Sequence, residues 1–338
     1  MIMKKTKKKI KALCLMSGGL DSALAAKLVA GQGIQVTGIC FTSPFFSNNG
    51  KHAEKICKQI GIPLIIIELG DKYFEMLRKP KHGYGSALNP CTDCHIFMLK
   101  EAKKLAKKLG AKFIFTGEVL GQRPMSQQLE QLNLIEKEAG LKGKLLRPLS
   151  AKLLVRTEAE KKGWVDVSQF PDISGRSRNE QFALAKQFRI RGFSSPSGGC
   201  LLTCHEFAAK VRDLFEHKEN ISAADIELLK TGRHFRIGKS KIIVGKNFEE
   251  NQKLMKMKSA EDWFFEAEDK IPSPITLLQG QKGKAAVEKA CQLTGYYSDA
   301  RGKKVKINYG KEKLDKFMKP KPISEADVIE LRIMWKKP

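Results

Sequence analysis

Hydrophobic and polar positions divide the chain into two textures. In the first half, short apolar runs alternate with amphipathic stretches. KALCLM (11–16) reads as a strand and Asp21 to Gln32 as a helix, followed by a β-rich IQVTGICF (34–41) and a helical HAEKICKQIG (52–61) that stops on glycine. PLIIIEL (63–69) is a continuous β-branched run, the pattern of a strand buried on both faces, and Asp93 to Leu109 reads as a helix before a further buried strand in AKFIFTG (111–117). This β–α alternation predicts an α/β fold, a doubly wound parallel sheet whose ligands meet it at the carboxyl ends of the strands.

From about residue 206 the pattern changes. VRDLFEH and AADIELLK are short amphipathic helices, RHFRIGKSKIIVGKN reads as a β-hairpin with a lysine in its turn, and GKKVKINYGKEKLDKFMKPKP is basic and broken by Gly and Pro. The expected division is residues 1–205 for the α/β domain and 206–338 for linker helices and a smaller basic α+β domain, the boundary falling near 205–222. A length of 338 residues fits two cores, since single ones stop growing near ~250–300. No apolar run reaches the ~18 residues of a spanning helix. The basic N-terminus runs into its first strand without a small-residue cleavage site, so it reads as a tail rather than a signal peptide.

Charge sharpens the picture. With Lys+Arg 62 against Asp+Glu 36, the excess of +26 calls for a polyanionic partner, nucleic acid first and an anionic membrane second. Eight cysteines in so long a chain are too sparse for a disulfide scaffold and read as reduced thiols of a cytoplasmic protein, or as ligands. Cys14, Cys40, Cys57 and Cys291 fall in apolar contexts and are expected in the core.

The break in LMSGGLDSALAAKL (15–28) needs more than a corner. Gly18 and Gly19 let backbone N–H groups face outward without a Cβ in the way. Ser17 and Ser22 add hydroxyls, and the helix opening at Asp21 and Ser22 directs its positive end at the same point. The result is an anion cradle, though not a Walker loop, because the GxxxxGK[ST] spacing is missing. SGGLDS after a first strand resembles the signature of the PP-loop ATPases. That resemblance implies that Ser17, Gly18, Gly19, Leu20, Asp21 and Ser22 grip ATP, that Asp21 organises the phosphates or Mg²⁺, and that an adenylated substrate and pyrophosphate result.

FTGEVLGQRPMSQQLEQLNLIE (115–136), followed by LLRPL (145–149), is similar to the matching segment of tRNA 4-thiouridine synthetases. The resemblance implies that Thr116, Gly117, Glu118, Gly121 and Gln122 close the nucleotide pocket, and that tRNA is the substrate, most simply at uridine 8. It runs from about residue 10 to 204. Two parts of the best-known bacterial members, the THUMP region and the rhodanese domain, have no counterpart here, which leaves RNA docking to another segment. An amidotransferase is disfavoured, since no glutaminase domain is apparent.

NPCTDCHIFML sets Cys91 and Cys94 in a CxxC at a helix start, where the helix dipole is expected to lower their pKa, and SSPSGGCLLTC adds Cys200 and Cys204. Three readings stay open. Cys91, Cys94 and Cys200 could hold a [4Fe–4S] cluster with one open iron, a pattern resembling cluster-dependent tRNA thiolation enzymes. Cys200 could be a persulfide-carrying nucleophile, as the SGGC turn resembles that of 2-thiouridylases. All four could hold structural Zn²⁺. The sulfur donor is then sulfide or the persulfide of a cysteine desulfurase. His95 reads as solvent-facing. The oligomeric state stays open, a homodimer included.

GRHFRIGKSKIIVGKNFEENQKL (232–254) resembles the NFACT RNA-binding domain. Arg233, Arg236, Lys239, Lys241 and Lys246 gather on the expected hairpin with His234 and Phe235, and residues of this kind bind phosphates. The alternatives to a thiolating enzyme are a tRNA 2-thiouridylase or a non-catalytic RNA-binding module whose PP-loop senses nucleotide.

Overall fold

A computed structural model of the chain describes residues 9–46, 50–193 and 199–335. Two compact units emerge, Met1–Thr203 and Cys204–Pro338. No helix among the described residues is long and apolar enough to cross a membrane.

The first unit runs β1 (Lys11–Leu15), α1 (Leu20–Gly31), β2 (Gln35–Thr42), α2 (Lys51–Ile60), β3 (Leu64–Glu68), α3 (Asp71–Arg78), α4 (Cys91–Leu109), β4 (Phe113–Phe115), α5 (Leu129–Glu138), β5 (Leu145–Leu146), α6 (Glu158–Lys161) and α7 (Asn179–Gln187). Its five strands pair in parallel in the order β3-β2-β1-β4-β5. The chain leaves β1 toward one edge and returns beside it as β4, so a crevice opens between the carboxyl ends of those two strands. β1 is buried from Ala12 to Cys14 and β4 throughout. α1 is alanine-rich and buries Leu20, Ser22, Ala23, Leu24, Ala25, Ala26 and Val29, so it lies inside the unit on nearly every side.

One strand departs from its expected place. PLIIIEL was the pattern of a strand covered on both faces, yet β3 is the edge of the sheet and Ile66 is 42 % exposed. β-branched residues favour the pleat itself, and that preference does not reveal how many neighbours a strand has.

The second unit runs α8 (His205–His217), α9 (Ala223–Leu229), β6 (Arg233–Ile237), β7 (Ser240–Val244), α10 (Phe248–Met257), β8 (Trp263–Ala267), β9 (Thr276–Gln279), α11 (Lys284–Tyr296), β10 (Ile307–Gly310), β11 (Lys316–Met318) and α12 (Glu325–Leu331). Six strands pair antiparallel in the order β11-β10-β8-β9-β7-β6. The β6–β7 hairpin is the one the sequence predicts, with Ile237 opposite Ser240 and Gly238 at φ +51° in its tight turn. Alternation along the strands sends Ile242, Val244 and Phe265 to the face that packs with Ala290 and Cys291 of α11, and Ile243, Phe264 and Leu277 to the other face with Leu254. The four cysteines expected in cores are buried: Cys14, Cys40, Cys57 and Cys291.

Candidate active site

The crevice is lined first by the turn after β1. Gly18 has φ +75°, and a Cβ there would meet the Ala53 amide nitrogen at 2.6 Å and His52 Cβ at 2.7 Å, so only glycine fits both the turn and its packing against α2. Gly19 stands at the N-cap of α1 in extended conformation. The hydroxyls gather as the pattern requires: Ser22 Oγ donates to the Gly19 carbonyl at 2.9 Å, lies 3.3 Å from Ser17 Oγ, and Ser17 Oγ accepts from the Gly19 amide at 3.3 Å.

The loop after β4 closes on this turn. A Cβ on Gly117 would fall 2.4 Å from the Ser22 amide nitrogen, so the two backbones touch because residue 117 has no side chain. Gly121 turns at φ +77°, and Gln122 Nε2 reaches back to Asp21 Oδ2 at 2.8 Å. Thr116 and Glu118 sit deeper. Glu118 is buried and takes the Thr116 hydroxyl at 3.0 Å, Arg147 Nε at 3.0 Å and His95 Nδ1 at 2.8 Å. Burial alone would raise its pKa, but Arg147, His95 and Thr116 together hold it down at about 2. Glu118 thus anchors the loop as a carboxylate. His95 is not the solvent-facing residue expected, since its ring is turned to that carboxylate. Arg147 also spans to Glu136 Oε2 at 2.9 Å, which ties the RPL turn to α5.

Two residues of this site carry no motif that announces them. Arg178, the N-cap of α7, brings its guanidinium to Asp21 Oδ2 at 2.9 Å, and Gln181 Nε2 donates to Gln122 Oε1 at 3.0 Å. Nothing local sets them apart, since α7 (NEQFALAKQ) is itself largely polar.

The CxxC occupies the first turn of α4, two residues earlier than the helix expected from Asp93. Cys91 Sγ accepts from Asn89 Nδ2 at 3.3 Å, and Cys94 Sγ lies 3.2 Å from the Tyr73 hydroxyl. Cys200 is brought in by a bridge to Phe46 and by the Leu201 amide donating to the Phe45 carbonyl at 2.8 Å. Cys94 lies in the field of Cys200 and Cys91, Cys200 in that of Cys91, and the Tyr73 hydroxyl in that of all three. The helix dipole does not lower the Cys94 thiol as expected. Burial dominates, pushing Cys94 up to about 12 and Cys200 up to about 11. Among the described residues no group of three or more His, Cys, Asp or Glu is placed to hold a metal ion. Cys204 belongs to the second unit, exposed at the N-cap of α8. Ser197 and Gly198 of the SGGC turn lie outside the described residues.

In the second unit the basic hairpin divides. Lys239 and Lys246 are exposed. Arg233 stacks over Tyr297 at 4.4 Å and donates to the Gly245 carbonyl at 3.2 Å. Arg236 makes a two-point contact with Asp213 at 2.7 and 2.5 Å, and Lys241 is buried 3.6 Å from the same carboxylate, its pKa lowered by burial to about 8. His234 is buried as well, bonded through Nε2 to the Thr231 carbonyl at 2.8 Å. Arg236, Lys241 and His234 are therefore not displayed for phosphate, contrary to the sequence expectation. α8 supplies the Asp213 that gathers in Arg236 and Lys241, and no local pattern connects α8 with the hairpin.

Comparison with known proteins bears on both units. Residues 8–171 match the family model of the thiamine biosynthesis protein (ThiI), and residues 232–331 match that of the NFACT protein RNA binding domain. A probable tRNA sulfurtransferase of Thermococcus kodakarensis is 31% identical over 170 residues, covering 48% of this chain and 43% of that protein. The tRNA-specific 2-thiouridylase MnmA of Syntrophotalea carbinolica is 32% identical over 117 residues, covering 31% of this chain and 33% of its own length. A crystal structure of a 4-thiouridine synthetase–RNA complex with bound ATP aligns at 25% identity and a TM-score of 0.34, over 53% of this chain and 51% of that one. The chain spans less than half the length of these curated relatives. Its first unit carries a ThiI-like PP-loop domain and its second an NFACT-type RNA-binding domain.

Proposed function

We propose that the chain is an ATP-dependent, AMP-forming tRNA sulfurtransferase. The observation that carries the reading is the seating of Gly117 on the first turn of α1 at the crevice between β1 and β4. It merges two motifs about a hundred residues apart into one pocket, where ligands of this fold class bind. The relatives' names point the same way, and the NFACT-type unit supplies a surface for the RNA.

The amides around Gly18 and Gly19, the Ser17 and Ser22 hydroxyls and the positive end of α1 bind the polyphosphate. Asp21, whose buried Oδ1 has no hydrogen-bond partner, is the acceptor available to the Mg²⁺ that accompanies ATP. A uridine carbonyl oxygen attacks the α-phosphorus, pyrophosphate leaves, and the base loses its ring N–H proton. Hydrogen sulfide then adds to that carbonyl carbon, and AMP departs with the former carbonyl oxygen. Where a persulfide is the donor its outer sulfur adds instead, and a second thiol then attacks the carrier sulfur, forming a disulfide with it and freeing the thiouridine. With hydrogen sulfide as donor, a thiouridine with its ring N–H restored and AMP are the products. The pocket of Cys91, Cys94 and Cys200 is where that sulfur is received, and the base must leave its stack to reach it. Uridine 8, giving 4-thiouridine, is the position proposed.

The test is pyrophosphate release with ATP, dependent on tRNA, followed by nucleoside analysis of that tRNA after sulfide is supplied anaerobically. A protein that binds RNA but releases no pyrophosphate would be the nucleotide-sensing binding module instead. A 2-thiouridine product would transfer the reading to the 2-thiouridylases. Iron, zinc and acid-labile sulfide analysis of the same preparation decides whether the thiols rearrange around a metal.

A further inference from the structure

The Asp21 carboxylate on the first turn of α1 is held by a chain of three residues. Arg178 and Gln122 both donate to Asp21 Oδ2, at 2.9 and 2.8 Å, and Gln181 supports Gln122 at 3.0 Å. This chain is incomplete. Asp21 Oδ1, Arg178 Nε and Gln181 Oε1 are all buried without a hydrogen-bond partner, and Gln181 has no exposed surface. Roughly 90% or more of buried polar groups find partners, so three orphans in one contiguous set mark a place where a ligand completes the bonding.

The orphans also define that ligand. A guanidinium N–H requires an anionic acceptor, whereas a carboxylate oxygen and an amide oxygen require a cation or donor. A magnesium-bearing polyphosphate supplies both. The guanidinium edge formed by Nε and one terminal nitrogen is the edge that grips phosphate at two points, and here only half of it is used, on Asp21.

We propose that Arg178 is a phosphate-contacting residue of this site: on nucleotide arrival it exchanges its one-point contact with Asp21 for a two-point contact with the pyrophosphate moiety. In the empty site Arg178 offsets the charge of Asp21, which would otherwise repel the incoming anion. In the filled site Asp21 is released toward the cation. Arg178 is the N-cap of α7, so the exchange also reports occupancy of the cradle to that helix. The inference rests on the nucleotide reading of the cradle.

The experiment measures binding of inorganic pyrophosphate with Mg²⁺, of ATP and of adenosine to the full chain by calorimetry. Arg178→Gln is expected to weaken pyrophosphate and ATP at least about tenfold, the value of a charge-assisted contact, with adenosine unchanged. Arg178→Lys, which keeps the charge but not the fork, should recover only part. The double variant Asp21→Asn with Arg178→Gln removes both charges and should fold with a neutral pair. Compared with Asp21→Asn alone, which lacks the same Mg²⁺ acceptor, it should bind pyrophosphate at least about tenfold more weakly if Arg178 touches phosphate, and equally well if Arg178 merely neutralises Asp21, which would overturn the inference. Pyrophosphate affinity unchanged in Arg178→Gln would overturn it too, and leave the function standing. A wild-type chain that binds neither ATP nor pyrophosphate would overturn the nucleotide reading and this inference with it.

Discussion

Gly117 approaches Ser22 so closely that a Cβ on residue 117 would lie 2.4 Å from the Ser22 amide nitrogen. The atoms in its way belong to the backbone of α1, which cannot step aside as a flexible side chain can. Gly117→Ala should therefore cost about 1–3 kcal/mol, the range for overpacking, and separate the two loops. Thermal unfolding reads the first effect and ATP calorimetry the second. Wild-type ATP affinity in this variant would show that the loop contact does not shape the pocket.

Acid should reveal the anchor beneath that loop. Glu118 is held at about 2 in the folded chain against an ordinary 4.5. A depressed carboxylate stabilises the fold above its unfolded pKa, and that stability is lost as pH falls from about 4.5 to about 2. The shift corresponds to about 3 kcal/mol at neutral pH. Denaturant titrations across this window should show a steep fall for the wild type and a shallower one for Glu118→Gln. Equal slopes would mean that Arg147 and His95 do not hold the charge.

At the thiols, Cys200→Ser should end sulfur incorporation and leave tRNA-dependent pyrophosphate release within a few-fold of normal. Nucleoside analysis measures the first and a phosphate-coupled assay the second. Cys14→Ala, deep in the core beside β2, is the contrasting case, since it should lower stability and leave the ratio of the two steps unchanged. Thiouridine formed by Cys200→Ser would remove the residue from the sulfur step.

The basic hairpin yields opposite expectations for neighbouring lysines. Lys241 is buried with its pKa lowered to about 8 from 10.5. Between those values the unfolded chain holds the proton that the folded one has lost, so stability should rise as pH climbs from about 8 to 10.5. Lys241→Met should abolish that rise and leave tRNA affinity unchanged. Replacing the exposed Lys239 and Lys246 by Glu should instead weaken tRNA binding and flatten its dependence on salt, roughly one unit of log–log slope per lost phosphate contact. A weakened Lys241→Met complex would return that residue to the interface.

What the sequence revealed and what it hid divide along a physical line. Local periodicity disclosed the alternation of β1 through β4 and the antiparallel β6–β7 hairpin, and short motifs disclosed both glycine-dependent loops, because each is set by residues close in the chain. The contact between Asp21 and Arg178 spans 157 positions and is created by the packing of α7, so no window contains it. The same holds for Asp213, which lies 23 residues before the Arg236 it captures. Counting basic residues agrees with the second unit's match to an RNA-binding domain family but included Arg236 and Lys241, because an ion pair formed across the fold withdraws its charges from solvent. The thiols were misjudged in a related way. Proximity to a helix start argued for acidity, and burial, invisible in the letters CTDC, outweighed it.

Gly18 carries a lesson for anyone wishing to transplant this turn. Its left-handed backbone could be copied into another α/β scaffold, but its α-carbon also rests on the main chain of Ala53 and the Cβ of His52. A grafted segment ending at Leu28 would arrive without the surface against which it is wedged. The smallest portable piece is the turn together with its neighbouring helix, and swaps that respect only the six-letter motif should yield folded hosts with a misshapen corner.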